Sequence, residues 1–325
     1  MVRLAVVGDV HQQWQAADAL ALRHLQVDLV LFVGDFGNEA VEVVQQVAAL
    51  PWPKAVVLGN HDAWYTATDW GRRKCPYDHS REDWFQQQLD LLGDCHVGYR
   101  RQEFPALDLT VVGGRPCSWG GSEWQWGPFY QQYFGVDGWE SSQARILQAI
   151  RQAASSRVIL LNHNGPAGLG GQPCDPCGRD WAPVGGDFGD PDLAAALQIA
   201  RDEGIPIPLV VFGHMHQQLR GNLGQRRMWH RDKQGTVYFN AAVVPRIRLV
   251  GTDTLHHFGL VTLSATGVQR VSYVWVHPQA GVVETEELWV NDSPSSPALR
   301  PPLRDSPHWP AHITSSGHPA AAQHL

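Results

Sequence analysis

Along the first sixty residues the chain repeats one block: a short apolar run, a Gly-polar cluster, then a stretch with apolar residues at helical spacing. The runs are residues 3–7, 28–33 and 55–58, and residues 12–25 and 38–50 carry the helical period between them. This pattern predicts a βαβαβ opening. Strands apolar on both sides imply a sheet covered on both faces, so the expected fold class is α/β. Further on, the pattern predicts a helix over 81–92 with Ser80 as N-cap, strands near Val97 and over 109–112, a helix over 141–154 and a strand over 157–161. Asp190-Pro191-Asp192 opens a helix to about Glu203, with Asp190 as N-cap and Pro191 at the first helical position, so these acids read as caps rather than catalysts. A strand over 209–212 follows, and runs at 237–239, 259–263, 268–277 and 286–290 predict a β-rich second half.

Two stretches lack a period. Residues 115–140 read as a long aromatic loop holding Trp119, Trp124, Trp126 and Trp139, and residues 164–189 as a Gly-rich loop. The aromatic residues either pack the loop itself or wall a pocket for a base or lipid-like group; packing is the simpler expectation. Residues 291–325, rich in Pro, Ser and His, are expected to be a disordered tail, which leaves 1–290 as one domain. The tail histidines His308, His312, His318 and His324 have no strand before them and are expected to be solvated.

Composition narrows the function classes. No run of about 18 apolar residues appears, and MVRLAVVGDVH enters motif residues at once, so neither export nor membrane insertion is expected. The net charge of -7 gives no general attraction to nucleic acid, whose binding rests on Lys and Arg neutralising phosphates. Five cysteines, an odd number spread through a long chain, suit a reducing cytoplasm better than a disulfide scaffold. Cys174-x-x-Cys177 alone lacks the four ligands of a structural zinc site; Cys75 and His79 are the residues that would have to complete it.

The strongest signal is a repetition. Five apolar runs end in clusters of metal-ligand residue types: Gly8-Asp9-Val10-His11, Gly34-Asp35, Gly59-Asn60-His61-Asp62, Asn162-His163 and Gly213-His214-Met215-His216. In open α/β folds the site lies beyond the carboxyl ends of the strands, so five such ends can converge on one spot. Asp9 and His11, like His214 and His216, are two apart, which in extended backbone aims both side chains the same way. Imidazole, carboxylate and amide together suit Mn, Fe or Zn, with Mg a weaker fit.

These clusters resemble the calcineurin-like metallophosphoesterases, whose signature runs GDxH, GD, GNH[DE], H and GHxH. The resemblance spans residues 8–216 and implies a β-sandwich flanked by helices, in four αββα layers. It implies two metal ions, one held by Asp9, His11, Asp35 and His216, the other by Asp35, Asn60, His163 and His214, with Asp35 bridging. The implied activity is hydrolysis of a phosphate mono- or diester of a small molecule or nucleotide by metal-activated hydroxide. His61 resembles the family's catalytic histidine, which protonates the leaving oxygen; Asn38, Glu39 and Asp62 are the candidates to orient it, so His61, Asp62 and Asn38 form the expected catalytic set. The alternatives are a catalytically quiet scaffold of the same fold and a metal-dependent nuclease. One departure stands out: the protein-phosphatase branch continues its second motif as GDxVDRG, whose Arg holds phosphate, whereas residues 34–39 here read GDFGNE. A phosphate-binding Arg must then come from elsewhere, and Arg115 and Arg246 are the candidates.

Overall fold

Strand faces explain the architecture. In β1 (Val2–Val7) the side chains of Leu4 and Val6 enter one core while Ala5 and Val7 enter another, and in β2 (Leu29–Phe32) Leu29 and Leu31 part from Val30 and Phe32 in the same way. Alternation by two puts successive residues on opposite faces, so a continuous apolar run means that both faces are covered. The computed structural model describes residues 1–291, and Met1–Asn291 forms one compact unit. Of the tail expected over 291–325, residues 292 onward, with the four histidines, lie outside the described residues.

Among the described residues, thirteen strands make two mixed sheets. The remaining strands are β3 (Lys54–Val56), β4 (Arg101–Phe104), β5 (Leu109–Gly113), β6 (Val158–Leu161), β7 (Leu209–Phe212), β8 (Trp229–Arg231), β9 (Val237–Asn240), β10 (Ile247–Val250), β11 (Asp253–Ser264), β12 (Gly267–His277) and β13 (Gly281–Val290). One sheet runs β13-β12-β11-β1-β2-β3, with β10 also paired to β11; the other runs β4-β5-β6-β7-β9-β8. β1, β2 and β3 are mutually parallel, as are β5, β6, β7 and β9. Between the sheets lies an apolar layer built from both, including Leu4, Leu31, Val111, Ile159, Val211 and Phe239. Each such fully buried side chain contributes about 1.5–3 kcal/mol. The outer faces are covered by α1 (Ala16–Leu25), α2 (Val41–Ala48), α5 (Trp84–Leu92), α7 (Trp139–Arg151) and α8 (Pro191–Asp202), whose buried sides share the second core with Val7, Phe32 and Leu160. This is the expected mixed α/β sandwich. Among the described residues no helix is long and apolar enough to cross a membrane.

Several local expectations shift. The third helix starts at Trp84 rather than 81, because Asp83 accepts from the Gln86 amide at 2.8 Å while Ser80 is engaged in a turn with Asp78. Near Val97 the chain makes only an isolated bridge between His96 and Val56, and β4 follows it instead. The aromatic segment contains α6 (Gly127–Phe134): Gly127-Pro128 reads as a breaker, yet proline in the first helical turn costs no hydrogen bond and presets φ. Asp190 does precede α8, but its carboxylate does not cap it; Arg115 and Ser118 take it at 2.7 and 2.5 Å. Two short helices, α3 (Trp64–Ala67) and α4 (Asp69–Lys74), continue from the third motif.

Candidate metal centre

The carboxyl ends of β1, β2 and β3 in one sheet and of β6 and β7 in the other face the same place. Asp9, Asp35, Asn60, His163, and the pair His214 and His216 stand in the loops that follow these five strands. Two of the motif glycines are there for proximity rather than flexibility. A Cβ on Gly59 would lie 2.3 Å from Asp35 Oδ1 and 2.6 Å from His163 Cε1, and one on Gly213 would lie 2.2 Å from Asp9 Oδ1. Only glycine lets the strand ends close to this distance.

The paired residues do meet, but not through extended backbone. His11 and His214 have φ of 43° and 65°, and Asp35 has 52°, so each turns through the left-handed region just past its strand. Such a conformation costs on the order of 1–2 kcal/mol for a non-Gly residue and is retained only where the surroundings enforce it. Here Asp9 enforces it by accepting the His214 amide on both carboxylate oxygens at 3.1 Å.

Donor atoms gather in two groups around Asp35. His11 Nε2 lies 3.1 Å from His216 Nε2, 3.8 Å from Asp35 Oδ2 and 4.0 Å from Asp9 Oδ2, and His216 Nε2 lies 3.3 Å from Asp9 Oδ2. On the other side, His163 Nε2 lies 2.8 Å from Asn60 Oδ1 and 3.4 Å from Asp35 Oδ1, with Asp35, His163 and His214 offering ligand atoms within 4.8 Å of one another. His163 Nδ1 sits 2.8 Å from the Val33 carbonyl, which can only accept, so Nδ1 carries the proton. Nε2 then faces the Asn60 and Asp35 oxygens. A cation held between them would be attracted by all three groups.

Electrostatics point the same way. Burial pushes the Asp35 carboxyl up, but His163, His61, His11 and His214 around it outweigh that and hold it well below the usual carboxylate range. Burial likewise opposes ionisation of Asp9, and the His216 hydrogen bond keeps its pKa lowered. Burial pulls His11 down, and His214 down to about 3, so both rings stay neutral and keep a lone pair for a ligand. Two carboxylates held in the ionised form and buried among imidazoles and an amide oxygen fit a site for cations.

The residues expected beside the metals separate into different roles. His61 Nδ1 lies 2.6 Å from Asn38 Oδ1, while the His61 amide donates to Asp35 Oδ1 at 2.9 Å. Glu39 is turned away, accepting from the Thr66 amide at 2.6 Å and the Tyr77 hydroxyl at 2.5 Å; burial pushes its pKa up to about 7. Asp62 is fully buried and accepts the Gly59 and Phe36 amides at 2.7 and 2.8 Å, stitching the second motif to the third. Burial and the neighbouring Asp35 charge push its carboxyl well above the usual range. Of the three candidates, Asn38 is the one that meets the His61 ring.

Arg115 and Arg246 do not reach the site as phosphate holders. Arg115 is buried against Asp190 and Asp192 at 2.7 and 3.1 Å, and Arg246 against Asp18 at 2.7 Å, because each answers a buried carboxylate of its own. Among the described residues the groups of three metal-donor residues lie at the strand ends, and none includes a cysteine; all five cysteines are free. Trp64, not singled out by the sequence reading, stacks on His61 with ring centroids 5.0 Å apart. Its position three residues past the motif histidine was the available signal.

Comparison with known proteins gives one family and a set of folds. A family model described as calcineurin-like phosphoesterase matches residues 2–218. A hypothetical protein from Thermus thermophilus is 12% identical with a TM-score of 0.43, over 85% of this chain and 99% of that one. A structure titled as a novel archaeal phosphodiesterase is 11% identical with a TM-score of 0.34, over 85% and 99% of the two chains. A metallophosphoesterase from Sphaerobacter thermophilus is 15% identical with a TM-score of 0.34, over 88% and 89%. The search of curated proteins gives no match.

Proposed function

Since the chain belongs to the calcineurin-like phosphoesterase family and is a metal-dependent phosphoric ester hydrolase, we propose that it hydrolyses a phosphate mono- or diester of a small molecule or nucleotide at a dinuclear centre. Asp9, His11, Asp35 and His216 would hold one ion, and Asp35, Asn60, His163 and His214 the other, with Mn, Fe or Zn the best match to these donors and Mg a weaker one. Two such ions supply Lewis-acid stabilisation of phosphoryl charge and a nucleophile from water at neutral pH. The observation that carries this reading is Asp35, a buried carboxylate with one donor group on each side.

The chain's own residues divide the remaining work. Asn38 occupies His61 Nδ1, which leaves Nε2 as the nitrogen able to meet the substrate. With Nδ1 donating to the Asn38 oxygen, the donor form is the imidazolium: as the water oxygen forms its bond to phosphorus and the ester bond breaks, the second proton, on Nε2, passes to the leaving oxygen and the ring returns to its neutral Nδ1–H form. Asp62 touches no substrate in this scheme; by pinning the Gly59 and Phe36 amides it fixes Asn60 and Asp35 relative to each other. A net charge of -7 supports a small substrate rather than a nucleic acid, and five free cysteines fit a reducing compartment such as the cytoplasm.

The test is turnover of p-nitrophenyl phosphate and bis-p-nitrophenyl phosphate by chelator-stripped protein reloaded with Mn, Zn or Mg, alongside the metal content. Two ions bound and turnover of either ester support the proposal, and the preferred ester sets the class. Binding of fewer than two ions at saturation rejects the dinuclear centre.

A further inference from the structure

We propose that Trp64 is a positioning residue for His61, holding the imidazole plane so that Nε2 addresses the leaving oxygen, and that Trp119 holds Trp64 in turn. The inference rests on the role given to His61 above. Residues Asn60–Ala63 form a 3₁₀ turn that runs into α3, and the Trp64 amide donates to the His61 carbonyl. In a 3₁₀ turn the side chains at i and i+3 eclipse, which sets the Trp64 indole against the face of His61. The rings are 6° from parallel with centroids 5.0 Å apart, and His11 meets the His61 ring edge-on at 5.0 Å.

Asn38 holds one atom of the His61 ring, at Nδ1. A single hydrogen bond fixes a point and leaves the ring free to tilt, because the terminal torsion of a histidine is broad. The indole face supplies the missing constraint on the plane. Trp64 is itself 7% exposed and is packed by Trp119 at 5.2 Å, which contacts Trp126 at 5.9 Å. The Cys117 amide donates to the Leu58 carbonyl at 2.7 Å, so the segment carrying Trp119 is tied to the end of the strand that leads into the third motif. Trp119 of the aromatic segment thus acts on the reaction through Trp64 and His61.

The test uses the Mn-loaded enzyme and two monoesters: phenyl phosphate, whose leaving group needs a proton, and p-nitrophenyl phosphate, whose leaving group does not. Trp64→Leu is expected to lower kcat for phenyl phosphate about 10- to 100-fold, the scale of a misplaced catalytic group, with a much smaller loss for p-nitrophenyl phosphate and little change in KM. Trp64→Phe restores most of the rate, and Trp119→Leu gives the same selectivity more weakly, which keeps the test open if Trp64→Leu does not fold. The loss vanishes in a His61→Ala background, and the metal-free double variant melts no lower than the worse single variant. Equal losses on both esters, or a full additional loss in the His61→Ala background, overturn the inference while leaving His61 its role. A His61→Ala variant with no preference between the esters overturns both.

Discussion

Two groups of buried carboxylates in this molecule are treated in opposite ways. Asp18 is met by Arg246 and His256, and Asp190 and Asp192 by Arg115, so each charge is answered inside the chain. Asp9 and Asp35 are just as buried, but their neighbours are imidazoles and backbone amides. The first arrangement is closed and holds loops in place. The second leaves charge for a cation from outside, and strained backbone at His11, Asp35 and His214 keeps its donors converged.

The sharpest way to break this contrast is Asp35→Asn. It is expected to lower turnover by about 10³-fold, the upper end for losing one electrostatic stabiliser, and to reduce metal content, with the fold intact by circular dichroism. An unfolded variant would put Asp35 with the structural acids instead. Arg115→Met should do the reverse, costing about 3–5 kcal/mol in urea unfolding because it strands two buried carboxylates. A loss below about 1 kcal/mol would mean that the pair is not stabilising.

Glu39 lies between the two settings, buried near His61 yet bonded to Thr66 and Tyr77. Its folded pKa of about 7 exceeds the ordinary 4.5, so the native state binds this proton more tightly than the unfolded chain. The stability it contributes is complete below pH 4.5 and is lost as the pH rises through 7. Glu39→Gln, compared with wild type in the metal-free protein, should therefore gain up to about 3 kcal/mol between pH 5 and pH 8. A pH-independent difference would sink the idea. The smallest effect belongs to Asn38→Ala: about tenfold in kcat, the low end for a residue orienting its neighbour, with metal content unchanged by elemental analysis.

Periodicity in the sequence determined the strand–helix blocks, and the five polar clusters at strand ends brought forward the seven candidate donor residues, because a motif's residue types and spacing are local properties. It also set the alternation that buries both faces of β1 and β2. Only the tertiary structure decided the partners. Whether Arg115 meets a phosphate or Asp190, and whether Asn38, Glu39 or Asp62 meets His61, depends on side chains 23 or more positions apart in several of these pairs. The start of α6 at a Gly-Pro pair, and the use of Asp190 as an ion-pair partner rather than a cap, were decided likewise. The physical reason is that hydrophobic pattern and turn chemistry act between chain neighbours, whereas a buried charge is satisfied by whichever group the packing brings within about 3 Å.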